Sequence, residues 1–69
     1  MDIELASQEL YSKLRIYDEV IGIGVYRKNG IQYIVVYLAK LSNIILEKIP
    51  KVYKGNNVET EITGYITLH

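Results

Sequence analysis

The chain has 69 residues, no cysteine, one histidine and a formal net charge of zero. A chain of this length forms one core and buries only about 60% of the surface that its unfolded form exposes. The absence of cysteine excludes a disulfide framework, and the lone histidine excludes zinc sites built from clustered Cys and His. The hydrophobic content of 49% predicts a folded chain held by apolar packing, and the zero net charge argues against a nucleic-acid or membrane binder.

The N-terminal segment and the length of the apolar runs indicate where in the cell the protein is located. The first five residues, Met1-Asp2-Ile3-Glu4-Leu5, lack the basic and apolar regions of a signal peptide. No later run approaches the roughly 20 apolar residues of a membrane span. We therefore expect a cytoplasmic protein that does not enter a membrane.

The first predicted element is an amphipathic helix that runs from Ile3 to about Tyr17. Its apolar positions recur at steps of three and four, the period of one helical face: Ile3, Ala6, Leu10, Leu14 and Tyr17. Asp18 and Glu19 would oppose the negative end of the helix dipole, so we expect the helix to end by about Tyr17.

Two strands joined by a tight turn follow this helix. Residues 20–28 and 31–38 are rich in Val, Ile and Tyr, and Asn29-Gly30 between them is the strongest short-range signal for a β-hairpin. A two-residue turn pairs Lys28 with Ile31. Counting back along the strands gives the further pairs Tyr26–Tyr33, Val25–Ile34, Ile23–Val36, Gly22–Tyr37 and Ile21–Leu38.

This register divides the hairpin into two faces. One face is aliphatic and is predicted to be the core face, with Ile21, Ile23, Val25, Ile34, Val36 and Leu38. The other face is amphipathic, with Gly22, Gly24, Tyr26, Tyr33, Val35 and Tyr37. On this second face tyrosine rings can lie over the glycines opposite them and shield the bare backbone.

A short helix, a loop and a last strand complete the chain. Ser42 is the predicted N-cap of a helix over roughly 43–49, which Pro50 ends, and Leu41 and Leu46 are placed as a hydrophobic staple. The turn residues Gly55-Asn56-Asn57 favour a loop over residues 51–57. Residues 58–68 alternate again, with Val58, Ile62, Ile66 and Leu68 facing inward and Glu59, Glu61, Thr63, Tyr65 and Thr67 facing outward.

The predicted architecture is a single α+β domain over residues 1–69, in the order α-β-β-α-β. Both helices cover one face of a three-stranded sheet. The last strand pairs either with strand one, antiparallel, or with strand two, parallel. We favour the arrangement with strand one in the centre, because the glycines of that strand benefit from neighbours on both sides.

The sequence contains no convincing motif for catalysis, cofactor binding or metal binding. Gly22-Ile23-Gly24 lies inside a strand, whereas dinucleotide loops place such glycines before a helix N-terminus. On one strand His69 lies about 33 Å from Glu59, at about 3.3 Å per residue, which is too far to share a metal. Nucleophilic catalysis needs an oriented base beside a Ser, Thr or Cys, and no such set is present. We expect a protein that is not an enzyme and uses no cofactor or metal.

The basic side chains form one candidate surface. Strand one leads to the hairpin turn and helix two runs back toward the same end of the sheet, so five cations are expected to gather there: Arg27, Lys28, Lys48, Lys51 and Lys54. This basic pole predicts contact with an anion or an acidic partner. Together with exposed tyrosines, on which bases can stack, it also predicts contact with single-stranded nucleic acid. The alternative is solvated charge that suits a helix C-terminus and aids solubility.

The outward side of the sheet forms the other candidate surface. It carries Tyr26, Tyr33, Val35, Tyr37 and Tyr65. Tyrosine is enriched at interfaces because it buries a large area and keeps a polar tip. These residues predict contact with a partner or a second copy, and the alternative is an ordinary solvated face of an antiparallel sheet.

Parts of the chain also resemble a known module. The matching stretches are Val20-Ile21-Gly22-Ile23-Gly24-Val25, Ile34-Val35-Val36-Tyr37-Leu38, Ile49-Pro50, Tyr53-Lys54-Gly55, and Val58 ahead of Gly64. Over roughly residues 20–64 they are similar to a small αββαβ module of uncharacterised bacterial proteins, which in some of these precedes a trypsin-like serine protease domain. The resemblance implies an accessory or regulatory fold.

These features together predict a small non-catalytic module for protein–protein interaction or regulation, which self-associates through the tyrosine face or an exposed edge strand. The alternative function is anion or nucleic-acid contact through the basic pole. The expected partner is a second copy of the chain or another protein.

Overall fold

The computed structural model describes residues 2–63 of the chain. Two helices and four strands follow one another as α1 (Ile3–Leu14), β1 (Val20–Lys28), β2 (Ile31–Leu38), α2 (Asn43–Lys48), β3 (Val52–Tyr53) and β4 (Asn56–Ile62). The strands form one sheet in the order β1-β2-β4-β3. The predicted α+β class is confirmed, whereas the predicted three-stranded sheet is wrong because the sheet has four strands within residues 2–63.

The hairpin of β1 and β2 has the predicted register over most of its length. The pairs from Lys28–Ile31 to Gly22–Tyr37 are confirmed, and Asn29 and Gly30 both take the positive φ that the turn requires. The predicted pair Ile21–Leu38 is wrong. A bulge shifts the register there and pairs Val20 with Leu38, so Val20 is buried and Ile21 is exposed.

The central strands are β2 and β4, and the predicted central position of strand one is wrong. β4 lies beside β2 and parallel to it, from Tyr33 opposite Asn57 to Leu38 opposite Ile62. Parallel neighbours need a crossover connection, and the segment that contains α2 supplies it. The run Ile34-Val35-Val36 is buried on both sides of the sheet, as is typical of a strand with neighbours on both edges.

The core lies between the helices and one face of the sheet. α1 contributes the predicted positions Ile3, Ala6, Leu10 and Leu14, and α2 contributes Ile45. These side chains pack on a buried row along β2, namely Ile34, Val36 and Leu38. We call this side of the sheet the inner face and the opposite side the outer face.

The ends of the two helices differ slightly from the prediction. α1 ends at Leu14, and Tyr17 lies beyond it as a partly buried side chain against the core. Ser42 occupies the predicted N-cap position of α2, but its side chain makes no capping hydrogen bond. Leu41, predicted as half of a hydrophobic staple, is largely exposed.

The predicted loop over residues 51–57 is instead a second hairpin. Val52 pairs with Asn57 and Tyr53 pairs with Asn56, so only Lys54 and Gly55 form the turn. Both turn residues have positive φ, 52° for Lys54 and 80° for Gly55. β4 therefore begins at Asn56, earlier than predicted, and ends at Ile62, before Thr63. Residues 64–68 of the predicted strand lie outside the described residues.

Candidate interaction surfaces

The outer face brings together four of the five predicted tyrosine-face residues. Tyr26 lies directly opposite Tyr33, Val35 lies opposite Gly24, and Tyr37 lies opposite Gly22. Both helices pack on the inner face, so within residues 2–63 no helix covers this group. Tyr65, the fifth predicted residue, lies outside the described residues.

A tyrosine ring covers a glycine on this face, as predicted, but the glycine is the diagonal neighbour and not the one directly opposite. The ring of Tyr37 lies diagonally over Gly24, with its Cε2 atom 3.4 Å from the place where a Cβ of Gly24 would be. Gly22, which lies opposite Tyr37 in the register, has open space at the corresponding position. Val35 lies between these groups and is only 5% exposed, so the centre of the outer face is closely packed.

The apolar surface extends beyond the residues that the sequence singled out. Ile31 is 50% exposed and lies on the outer face, because it pairs with Lys28 two positions beyond Tyr26 and Tyr33. Val52 on β3 is also exposed and shares the face through its partner Asn57. The alternation of Ile31, Tyr33, Val35 and Tyr37 could have revealed the first of these, whereas Val52 required the unpredicted strand β3.

A shallow groove of about 330 Å³ crosses the outer face between β1 and β4. Val35 and the side chains of Tyr26 and Tyr37 line it on the β1 and β2 side. The carboxylates of Glu59 and Glu61 border it, because β4 places them opposite Val35 and Tyr37. The outer face therefore has an aromatic and aliphatic centre with an acidic side along β4.

The residues of the predicted basic pole are divided between β1 and the segments around β3, which are the two edge strands of the sheet. Arg27 and Lys28 end β1 at the hairpin turn, and β4 starts at that same end of the sheet, beside Tyr33. The remaining three residues lie in the segments that lead into β4: Lys48 ends α2, and Lys51 and Lys54 flank β3. Lys54 is not free, since its Nζ lies 3.7 Å from the Glu9 carboxylate.

A polar cluster at Tyr53 joins the second hairpin to α1. The Tyr53 hydroxyl donates a hydrogen bond of 2.5 Å to Oε1 of Glu9. The ammonium groups of Lys13 and Lys54 lie 5.2 Å and 5.8 Å from the centre of the Tyr53 ring, within the range of cation–π attraction. Sequence reasoning missed this cluster, because the residues are separated by about 40 positions and no local pattern connects them.

The cluster shifts the protonation equilibria of two of its members. The hydrogen bond from Tyr53 is the main cause that holds the pKa of Glu9 below its ordinary value, with the charges of Lys54 and Lys13 acting in the same direction. The pKa of Lys13 is raised, mainly by the Tyr53 side chain and to a smaller extent by the Glu9 carboxylate. Glu9 is half-buried and Lys13 is exposed, so the cluster connects α1 to β3 and contains no fully buried group suited to proton transfer.

A second groove, of about 510 Å³, lies between α2 and β4 on the inner side. Leu46, Ile49, Pro50 and Val58 give it an apolar lining, and Lys51, Glu59 and Thr60 complete it. It exists because α2 is short and covers only part of the strand beneath it. Lys51 and Glu59 are the ionisable side chains among its lining residues, which include no histidine, cysteine or serine.

The remaining sequence features form no chemical site in the described part of the chain. Gly22 and Gly24 lie inside β1, and no helix begins after them. Among residues 2–63 no three His, Cys, Asp or Glu side chains are grouped so that they could hold a metal ion. Neither α1 nor α2 is long and apolar enough to cross a membrane.

Comparisons with known proteins identify no relative. No protein-family model matches the chain, and no curated protein and no solved structure matches it. The resemblance to the bacterial αββαβ module therefore stays a prediction that rests on the short stretches quoted above.

Proposed function

We propose that the chain is a small non-catalytic protein-interaction module that binds a second copy of itself through its Tyr-rich outer face or an exposed edge strand of its sheet. The observation that carries this proposal is the outer face, where Tyr26 is 49% exposed beside Ile31 and the tightly packed Val35. Partly exposed tyrosines around a packed apolar centre are the composition of interface cores. An accessory or regulatory role in the cytoplasm, without a cofactor, belongs to the same proposal.

The small size of the domain also supports self-association. A core in a chain of this length supplies only about 3–5 kcal/mol, and a dimer buries apolar surface that one copy leaves in water. Ile21, Val25, Tyr26 and Ile31, all exposed, belong to the same hairpin. Association through this hairpin would remove several of them from water at once.

The experiment is the solution mass by light scattering across a concentration series, in low and in high salt. We expect a dimer that persists in high salt, because apolar burial and backbone hydrogen bonds are weakly screened. Tyr26→Ser should weaken the dimer, since Tyr26 lies where the outer face meets the edge of β1. Tyr11→Ser, at an exposed tyrosine of α1, is the matched control and should change the mass less. A monomer at every concentration would contradict the proposed self-association.

The second candidate function is contact with an anionic partner at the basic pole. The strand directions support it, because Arg27 and Lys28 on β1 and Lys51 and Lys54 around β3 lie at the same end of the sheet, at its two edges. Binding of a labelled single-stranded oligonucleotide should then fall steeply with added salt, since counterion release scales with the number of phosphate contacts. Lys28→Glu with Lys51→Glu should abolish that binding, while Lys40→Glu, at an exposed lysine beyond the other end of β2, should have a small effect. Binding that does not depend on salt would exclude this candidate.

A further inference from the structure

The free edge of β1 is the most extended unpaired strand edge in the described part of the chain. Within residues 2–63, β1 pairs with β2 alone over the nine residues Val20–Lys28. At the opposite edge of the sheet, β3 pairs with only the first two residues of β4. An uncovered strand edge presents unpaired backbone N–H and C=O groups, which are a template for another strand.

The register fixes which residues of β1 direct these groups outward. Lys28 and Ile31 flank a two-residue turn and so form a hydrogen-bonded pair. Hydrogen-bonded pairs then alternate along the hairpin, and Tyr26, Gly24 and Gly22 also direct their backbone groups toward β2. The residues between them, Ile23, Val25 and Arg27, therefore direct their N–H and C=O groups to the free edge.

Features that normally block such an edge are scarce along this segment. Natural edge strands are protected by charged side chains, by proline or by bulges. The segment from Ile21 to Tyr26 contains neither charge nor proline, and its bulge lies at the start of the strand, next to Ile21. Ile21, Val25 and Tyr26 are all exposed along it.

We propose that β1 pairs antiparallel with β1 of a second copy, about a two-fold axis that passes between their Gly24 residues. This inference rests on the proposed self-association and specifies its geometry. Ile23 of each copy then lies opposite Val25 of the other, and the outward groups of these residues form about four backbone hydrogen bonds between the copies. The two sheets become one continuous eight-stranded sheet, and the outer faces become one surface.

The side chains of the outer face favour this register over its neighbours. With Gly24 opposite Gly24, each Tyr26 lies opposite Gly22 of the second copy. Gly22 has open space where a side chain would be, since nothing lies within 4 Å of its Cβ position. These are non-hydrogen-bonded pairs, in which the strands are closest, and a tyrosine ring there shields the bare backbone of the glycine.

The charges at the two ends of β1 favour antiparallel pairing. Asp18 and Glu19 precede the strand, and Arg27 and Lys28 end it. Antiparallel pairing of two copies places the acidic end of each beside the basic end of the other, whereas parallel pairing places like charges together. The backbone carbonyl of Glu19 accepts a hydrogen bond from the Ala39 N–H at 2.8 Å, which holds this acidic end next to the sheet.

The first test places a charge on the proposed interface. Val25 is 40% exposed, so a single copy can accommodate Val25→Lys with the ammonium in water. Because the two-fold axis places this lysine twice in the interface, we expect the dimer dissociation constant to rise at least about tenfold. Ile44→Lys, at a 69% exposed residue of α2, is the matched control and should leave the constant unchanged. A dimer unchanged by Val25→Lys would overturn the edge pairing.

The second test uses the charges and does not depend on the core. Lys28→Glu and Glu19→Lys should each weaken the dimer, by roughly tenfold for the two symmetric contacts. The double variant should recover most of the loss, because it restores opposite charges across the axis. Losses that simply add in the double variant would overturn the proposed orientation.

The outcomes separate this inference from the function on which it rests. A wild-type protein that stays monomeric contradicts both. A wild-type dimer that ignores Val25→Lys but dissociates with Ile31→Lys contradicts the edge pairing only, and indicates that the copies meet through their outer faces.

Discussion

The ring of Tyr37 covers Gly24 diagonally across the hairpin, with Cε2 3.4 Å from the position that a Cβ would take, while Gly22 next to it has open space. Glycine inside a strand is unfavourable because its unfolded backbone is the most mobile. At Gly24 the tyrosine ring compensates for the missing side chain. At Gly22 no group among residues 2–63 of the same copy does so.

This difference predicts responses of different size to the same substitution. Gly22→Ala should raise the free energy of unfolding by about 0.5–1 kcal/mol, since a Cβ there meets nothing and the unfolded chain loses freedom. Gly24→Ala should raise the free energy of unfolding by less, because its methyl group would lie 3.4 Å from Cε2 of Tyr37, at the near limit of ordinary contact, and would restrict the ring. Urea unfolding at one low protein concentration measures both. An equal gain at the two sites would show that the ring does not stay over Gly24.

A charge introduced on the inner face of β2 is expected to unfold the protein. Val36 is fully buried in the core, and an unpaired carboxylate placed there costs several kcal/mol, comparable to the total stability of a small domain. Val36→Asp should therefore unfold the chain, as seen by loss of dispersed amide signals in NMR spectra. Val52→Asp makes the same change at a valine that is 57% exposed and should leave the fold intact. A folded Val36→Asp variant would show that the register is wrong.

The hairpin was predictable because its turn and its strands give the same register. Asn29-Gly30 fixes the pairing locally, and the alternation of aliphatic and aromatic residues confirms it up to Gly22. The bulge at Ile21 was not predictable from alternation. Val20 and Ile21 are both aliphatic, so the pattern does not show which of them turns toward the core.

The strand order was mispredicted because one signal was given too much weight. The glycines of β1 suggested a central strand, but their bare backbone is covered by a ring from β2 at Gly24 and left open at Gly22. The run Ile34-Val35-Val36 was the stronger signal, since it fills both faces of the sheet. β3 escaped notice because it has only two residues and a lysine at the first turn position.

The candidate surfaces also include one part that the sequence predicted and one part that it did not. Alternation alone placed Tyr26, Tyr33, Val35 and Tyr37 on one face. The contact between Glu9 and Tyr53 joins a helix to a strand that lies 44 residues later, and only the folded chain brings them together.

The hydrogen bond from Tyr53 to Glu9 predicts a pH-dependent contribution to stability. It lowers the pKa of Glu9 from 4.5, so the folded state favours the ionised carboxylate. The contribution is complete above 4.5, the unfolded value, and is lost as the pH falls through the lowered folded value. Tyr53→Phe should therefore be less stable than the wild type at pH 7, and the difference should shrink under acidic conditions. Urea unfolding across the acidic range tests this.

An NMR titration of the Glu9 carboxyl carbon provides the direct check. In the wild type we expect its pKa below 4.5, and in Tyr53→Phe we expect it closer to that value, because the first cause of the shift is removed. A Glu9 titration that is the same in both would show that the hydroxyl does not hold the carboxylate.

At the turn between β3 and β4, backbone strain at Lys54 opposes the ion pair that its side chain makes, and a single substitution can show which effect is larger. Lys54 has a φ of 52°, a left-handed conformation that costs a residue with a side chain roughly 1–2 kcal/mol. Its ammonium also lies 3.7 Å from Glu9, but exposed ion pairs contribute little. Lys54→Asn should therefore raise the free energy of unfolding by up to about 1 kcal/mol, since Asn tolerates this conformation and Asn-Gly suits the turn.

A matched variant separates the backbone effect from the loss of charge. Lys54→Gln removes the ammonium without relieving the backbone, and thermal or urea unfolding should show it to be no more stable than the wild type. If Lys54→Asn is also no more stable, the ion pair with Glu9 and the ring of Tyr53 outweigh the strain at the turn. The hairpin would then depend on its contacts with α1, because the turn itself would not favour the pairing of β3 with β4.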